Sequence, residues 1–280
     1  MKTKYLAIWS MALAVSLVAC EEDDLDDLFD DSSTELAAAY IGAESEFLDA
    51  YNRLDMAIRD SALVATGSST IDGAAVTYDQ ALGSITMDFG NTNVLTSDGK
   101  ARRGKLMING FSPAFLVTPN AAVSISSDEY HVDDDEIDIS FDLTNRGMSG
   151  TSQYYEVDTF QVDLDNGDYL LRGRKDLFWV QGYNTFLDMD DDIYRIEGRS
   201  FASEPDDTVS IDATFSSASP MTVDRSCDYV VTQGVIDLII SDDDESPQTG
   251  SVDFIPEDGC NNLMRLTVNG ITTTVTMPDF

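Results

Sequence analysis

The chain has 280 residues, with 16 lysines and arginines against 52 aspartates and glutamates, so its formal net charge is −36. Nucleic acid and anionic lipid surfaces are both negatively charged and are bound through basic surfaces. The excess of acidic residues therefore argues against either as a partner. Hydrophobic residues make up 42% of the sequence and aromatic residues 9%, which is enough to fill the core of a folded domain.

The first residues predict a secretory leader. Lys2 and Lys4 precede an apolar stretch over residues 5–19, which is too short to span a bilayer comfortably as a helix. The stretch ends in Leu17-Val18-Ala19-Cys20, which resembles the lipobox of bacterial lipoproteins. The resemblance implies a signal peptide over residues 1–19 and lipid on Cys20, which would hold the protein on the membrane. The alternative is an ordinary secretory leader with Cys20 as a free thiol.

An acidic segment over residues 20–33 follows the leader, beginning Glu21-Glu22-Asp23-Asp24. It resembles the tether that directs lipoproteins of Bacteroidota-type bacteria to the cell surface, and so implies a lipid-anchored outer-membrane location. A solvated, self-repelling spacer is the plainer interpretation, and the two are compatible.

Residues 34–66 predict an amphipathic helix, because apolar residues such as Tyr40, Phe47, Tyr51 and Leu54 recur at three- and four-residue steps. We expect it to cover a sheet of the same chain, with a partner helix as the alternative. Gly67, Asp72 and Gly73 then indicate a linker over residues 67–77.

Residues 78–280 predict an all-β domain. Apolar and polar residues alternate in several segments, as in Ile137 to Leu143 and Val209 to Phe215, which is typical of antiparallel strands with one buried face. Because no helical pattern separates the strands, we expect an antiparallel β-sandwich or a large curved β-meander. Turn dipeptides separate the strands, at 98–99, 109–110, 166–167, 258–259 and 269–270. The last one predicts a closing hairpin with Leu266, Val268, Ile271 and Val275 packed near the sheet edge.

Three strings resemble uncharacterised surface lipoproteins of the Bacteroidota: SITMDFG, DGKARRGKLMING and SVDFIPEDGCNNLMRLTVNG. With the leader, the likeness touches most of the chain. The family implies no activity that can be transferred.

Two cysteines besides Cys20, Cys227 and Cys260, are candidates for a disulfide in an oxidising compartment, with two separate buried thiols as the alternative. With no C-x-x-C motif and His131 as the single histidine, we expect no metal site and no cofactor. We expect the acidic loops to face solvent, with calcium binding as the alternative. These loops lie at 133–136, 188–192, 206–207 and 242–245.

No catalytic set stands out in the sequence. A Ser–His–Asp triad would have to use His131, which lies beside acidic residues, and the sequence has no G-x-S-x-G motif to supply the serine. Among 52 aspartates and glutamates, no pair can be singled out as the carboxylates of a glycoside hydrolase. The sequence therefore predicts a non-enzymatic surface lipoprotein with a binding or structural role and an extracellular glycan or protein partner. One alternative is a glycan-binding accessory protein of a polysaccharide-uptake system, with Trp179 and Tyr183 as the stacking face. A carboxylate-based hydrolase is the third hypothesis.

Overall fold

The computed structural model describes residues 32–164, 169–204, 209–227, 230–242, 246–254 and 263–276. The predictions about the leader, Cys20, the tether before residue 32 and Cys260 lie outside these residues. So do the predicted turns at 166–167 and 258–259.

Two helices replace the single helix predicted over residues 34–66: α1 at Ser32–Arg59 and α2 at Ser61–Thr66. The break falls at Asp60, whose carboxylate accepts hydrogen bonds from the amides of Ala62 (2.7 Å) and Leu63 (3.1 Å). An aspartate in this position caps a new helix rather than continuing the old one. Neither helix in the described part of the chain has an apolar stretch of the length and character needed to cross a membrane.

In the described residues, fifteen strands follow and form one antiparallel sheet, in which most strands pair with their neighbours in sequence. They are β1 (Ser68–Ile71), β2 (Ala74–Asp79), β3 (Ser84–Leu95), β4 (Ala101–Asn109), β5 (Ala122–Val132), β6 (Asp135–Ser149), β7 (Ser152–Leu164), β8 (Tyr169–Gln181), β9 (Ile193–Ser203), β10 (Val209–Phe215), β11 (Met221–Asp224), β12 (Val230–Asp242), β13 (Gln248–Phe254), β14 (Leu263–Val268) and β15 (Ile271–Thr276). Strands β10 and β11 lie in line between β9 and β12, as one strand interrupted at residues 216–220. The all-β prediction is confirmed for the described residues, whose strands are antiparallel and ordered largely as in the sequence.

The predicted linker over residues 67–77 is wrong, because β1 and β2 form a hairpin there. Asp72 and Gly73 are its turn, with φ angles of 46° and 85°. Two consecutive residues at positive φ are the mark of the type I′ turn that matches strand twist. Serine and threonine dominate β1, and β2 begins with two alanines, so the apolar alternation is weak at these positions in the sequence.

The closing hairpin turns at Asn269-Gly270 as predicted, with φ angles of 51° and 81°. Leu266 and Val268 are buried, but Ile271 is 64% exposed, so the prediction was wrong for that residue. The side chain of Val275 is outside the description. Asp98-Gly99 lies in the connection 96–100, and Asn109-Gly110 opens the long connection 110–121 rather than a tight turn.

The sheet curves around α1. Phe47 on the helix packs against Phe141 of β6 and Phe160 of β7, with ring centroids 5.3 and 5.0 Å apart, and Tyr51 packs against Tyr194 of β9. Glycine bulges bend the strands: at Gly104 (φ 84°) a Cβ atom would lie 1.9 Å from the carbonyl oxygen of Glu129.

α1 is buried on nearly every side between Tyr40 and Arg59, and not only along its apolar stripe. Its polar residues in this stretch are almost all enclosed with its apolar ones. A charged side chain without water needs a partner of opposite charge. The helix therefore brings buried charges into the core of the sheet.

Candidate functional site

Five charged side chains of α1 are buried, and each one meets an opposite charge. They are Glu44, Asp49, Arg53, Asp55 and Arg59. The sheet and its connections supply further partners, namely Asp72, Asp98, Arg102, Lys175, Asp192 and Arg225. These contacts form two clusters and one separate pair.

The distal ion cluster consists of Asp55, Arg59, Asp192 and Arg225, near the C-terminal end of α1. Arg59 donates to both carboxylate oxygens of Asp55, from Nε (2.6 Å) and Nη2 (2.6 Å). Its Nη1 lies 2.6 Å from Oδ2 of Asp192, and Nη1 of Arg225 donates to Asp55. Arg225 also donates from Nη2 to Oδ1 of Asn52 at 2.6 Å. Two arginines thus hold two carboxylates between helix and sheet.

Trp179 and Tyr194 enclose this cluster. The indole Nε1 of Trp179 donates to Oδ1 of Asp192 at 2.9 Å, and the guanidinium carbon of Arg59 lies 4.2 Å from the indole ring centroid. Tyr194 stacks on Trp179 with centroids 5.7 Å apart and donates to Oδ2 of Asp55 at 3.2 Å. A guanidinium over an indole face adds a cation–π contact to the ion pairs.

Burial governs the protonation of Asp192. It raises the pKa of this carboxyl to about 6, although the charge and hydrogen bonds of Arg59 act in the opposite direction and nearby Asp55 reinforces the rise. Burial also lowers the pKa of Arg59, but Asp55, Tyr194 and Asp192 outweigh it, and the net pKa of Arg59 is raised. Arg59 therefore remains charged, and Asp192 keeps its proton to a higher pH than a free aspartate does.

The β4 ion cluster consists of Asp49, Arg53, Asp98 and Arg102, on another face of α1. Arg102 is fully buried and donates to both oxygens of Asp98, from Nη1 (2.8 Å) and Nη2 (2.6 Å). Its Nη2 lies 3.0 Å from Oδ1 of Asp49, and Nη2 of Arg53 donates to Asp98 at 2.7 Å. Burial raises the pKa of Asp98, but hydrogen bonds from Arg102 and Thr96 outweigh it and hold the pKa well below its usual range. This cluster ties the helix to the connection 96–100.

The distal ion cluster supports the end of the sheet that carries the connections 110–121 and 182–192, which we call the distal end. Nη1 of Arg59 donates to the carbonyl oxygen of Phe186 at 3.3 Å. The connection 182–192 begins at Gly182 (φ 92°), where a Cβ atom would lie 2.0 Å from Oδ1 of Asp192. Oγ1 of Thr185 donates to Oδ2 of Asp191 at 2.8 Å. The buried charges thus brace a long surface loop.

Apolar side chains are exposed at this end: Phe186 (47%), Leu187 (63%) and Val117 (79%). A mainly apolar cavity of ≈ 30 Å³ lies between α1, β8, β9 and β11, with Asn52 and Arg225 in its wall. This volume is enough for about two water molecules. The cavity is therefore too small for an organic ligand, and the exposed loop side chains are the accessible feature of the distal end.

The structure corrects the expectation that Trp179 offers a stacking face. Only 2% of Trp179 is exposed, and Arg59 and Tyr194 cover its ring. Tyr183 is partly buried and meets Trp179 edge to face at 6.4 Å. Trp179 therefore packs inside the protein beside the loop and presents no stacking face.

The cysteines and the single histidine were also singled out in the sequence. Cys227 is buried and disulfide-bonded, while its predicted partner Cys260 and the lipidation site Cys20 lie outside the described residues. His131 is partly exposed, with Nδ1 2.9 Å from the carbonyl oxygen of Glu129. Among the residues that the structure describes, no group of histidine, cysteine and acidic side chains is arranged to hold a metal ion.

The two ion clusters are absent from the sequence-based predictions, although the sequence carries one signal of them. Asp49 and Arg53, like Asp55 and Arg59, are spaced four residues apart and pair along the helix. That spacing is common on exposed helix surfaces, so it cannot by itself indicate burial.

Comparison of the chain with protein-family models, with curated proteins and with solved structures gives no match.

Proposed function

We propose that the protein is a non-enzymatic lipoprotein, anchored by lipid on Cys20 to the outer membrane and exposed at the cell surface, whose distal end binds an extracellular protein. One observation carries the proposal: the segment after Cys20 leads into α1 in the sequence, and α1 packs along the sheet until Arg59 contacts the connection 182–192 at the distal end. The buried helix α1 thus connects the proposed anchor at Cys20 with the loops of the distal end.

The dimensions support this arrangement. With 28 residues, α1 is about 42 Å long. Along β8 the helix advances from Lys175, which faces Glu44, to the connection after Gln181, which faces Arg59. The end of α1 that follows the proposed anchor is therefore opposite the end that reaches the distal loops.

The distal end has the features of a protein-binding surface. Long connections on a rigid scaffold commonly carry binding residues. Phe186 and Leu187 are exposed there, and Asp188, Asp190 and Asp191 follow them directly. Charge complementarity favours a partner that offers an apolar contact surrounded by basic groups. The glycan-binding alternative loses one of its two stacking residues, because Trp179 is buried, while Tyr183 is only partly buried.

Replacing Cys20 by serine should release the protein from the membrane fraction, because the thiol that would carry the lipid is lost. The measurement is fractionation of cells that make the full chain, followed by immunoblotting of membrane and soluble material. Glu21→Gln is the matched control, since it alters the neighbouring residue and keeps the thiol; we expect it to remain in the membrane fraction. Retention of Cys20→Ser in the membrane would show that the anchor lies elsewhere.

A further inference from the structure

Glu44 and Lys175 form an ion pair apart from both ion clusters. Lys175 lies in the middle of β8 and is fully buried, and Glu44 of α1 is 2% exposed. Nζ of Lys175 lies 2.7 Å from Oε2 of Glu44, yet neither atom makes a hydrogen bond of normal geometry with a described residue. The two groups therefore face each other at ion-pair distance, and neither atom has a further polar partner in the described part of the chain.

The surroundings disfavour the charged form of Lys175. Phe215, Phe160 and Phe47 surround the amine, with ring centroids 3.7, 4.9 and 5.4 Å from Nζ. An ammonium group has three donors, and this site offers them one carboxylate oxygen and aromatic faces. Burial lowers the pKa of Lys175 even though Glu44 acts to raise it. A neutral amine is therefore more accessible here than in water.

The second carboxylate oxygen is held by two hydroxyl groups. Tyr40 donates to Oε1 of Glu44 at 2.9 Å, and Ser200 donates to the same oxygen at 2.9 Å. Burial, and then the charge of Glu44, raise the pKa of Tyr40 well above its usual value, so that its hydroxyl keeps its proton. Two fixed donors on one oxygen are suited to stabilise the negative charge that develops there when a nucleophile attacks the carboxyl carbon.

We propose that Glu44 and Lys175 condense to an amide that covalently links α1 to β8. The ammonium first passes a proton to the carboxylate, which gives a neutral amine beside a neutral carboxylic acid. The lone pair of Nζ forms a bond to Cδ of Glu44, and negative charge moves to Oε1 between Tyr40 and Ser200. The Cδ–Oε2 bond then breaks, and Oε2 leaves as water with the carboxyl proton and one proton from Nζ. No oxidant, reductant or other reactant is needed.

The fold supplies the driving force. Two groups fixed in contact react with effective concentrations of about 10⁵–10⁸ M, which favours a condensation that is unfavourable between free molecules in water. The product removes two buried charges, and its carbonyl oxygen keeps both hydroxyl donors. Tyr40 and Ser200 act as stabilising groups in this step.

Mass spectrometry of the full chain, purified in detergent with its disulfide reduced, tests the proposal. Loss of one water predicts a mass about 18 Da below that of the unlinked chain, and tryptic digestion should give the peptide ending at Arg53 joined to the peptide that begins at Lys175. Lys175→Met should abolish both the mass deficit and the joined peptide. Lys100→Met is the matched control, because Lys100 pairs with Glu46 at 3.3 Å in a partly exposed site, and it should keep both signs.

A native protein of full mass that yields no joined peptide would overturn the proposal. This result needs no variant, so it remains decisive even if Lys175→Met does not fold. A mass deficit that persists in Lys175→Met would overturn it as well. Tyr40→Phe and Ser200→Ala should lower the linked fraction in newly made protein, and an unchanged rate of linkage in both would contradict the role assigned to the hydroxyls.

Discussion

Replacing Asp55 by alanine should lower the free energy of unfolding by about 3–5 kcal/mol, because two buried arginines then lose their shared carboxylate. Arg59 and Arg225 both bind Asp55, and each is almost completely buried. Asp192 remains, but one carboxylate cannot neutralise two guanidinium groups. Urea denaturation of the full chain in detergent, followed by tryptophan fluorescence, measures the change.

The matched control is Asp212→Ala, which removes the partner of Arg199 on the outer face of the sheet. Nη2 of Arg199 lies 2.6 Å from Oδ2 of Asp212, but the two side chains are 69% and 40% exposed, respectively. Exposed pairs contribute about 0–1 kcal/mol, so the control should be nearly neutral. Equal effects from the two variants would show that the distal ion cluster is not buried.

Replacing Trp179 by alanine should also lower the free energy of unfolding by about 3–5 kcal/mol, the usual cost of deleting a large aromatic side chain from a core. The variant opens a cavity beside Tyr194, removes the cation–π contact of Arg59 and leaves Asp192 without its indole donor. Thermal unfolding followed by far-ultraviolet circular dichroism measures the loss.

Phe186→Ala is the control for this variant, because Phe186 is 47% exposed in the same part of the molecule. Its effect should stay within about 0.5 kcal/mol. A Trp179→Ala protein as stable as the wild type would contradict the burial of the indole. It would restore the hypothesis of an exposed stacking face.

Several strands were predictable from the sequence because buried and less buried residues alternate along them. In β10 every second residue from Val209 to Phe215 is buried, and the same alternation is visible in the sequence. The hairpin at Asn269-Gly270 was predictable for a similar reason, since its residue types fit positive φ angles. The β1–β2 hairpin was missed because small residues such as Ser69 and Ala75 carry little of that alternation.

The burial of α1 was not predictable, because it depends on how far the sheet curves. A helix lying on an open sheet and a helix wrapped by one have the same apolar stripe. The charges of Asp49, Arg53 and Asp55 then indicate a solvent-facing side, whereas their partners Arg102 and Arg225 are far away in sequence. Trp179 was misjudged for the same reason, since only the folded sheet brings Arg59 and Tyr194 against its ring.

Amide hydrogen exchange of α1 tests the central claim most directly, namely that this charged helix forms the core of the protein. A helix enclosed by the sheet can exchange only when the whole domain unfolds. We therefore expect amides between Tyr40 and Ile58 to exchange as slowly as those in β6, β7 and β8. Exchange of the α1 amides by local opening, well before these strands, would contradict the account.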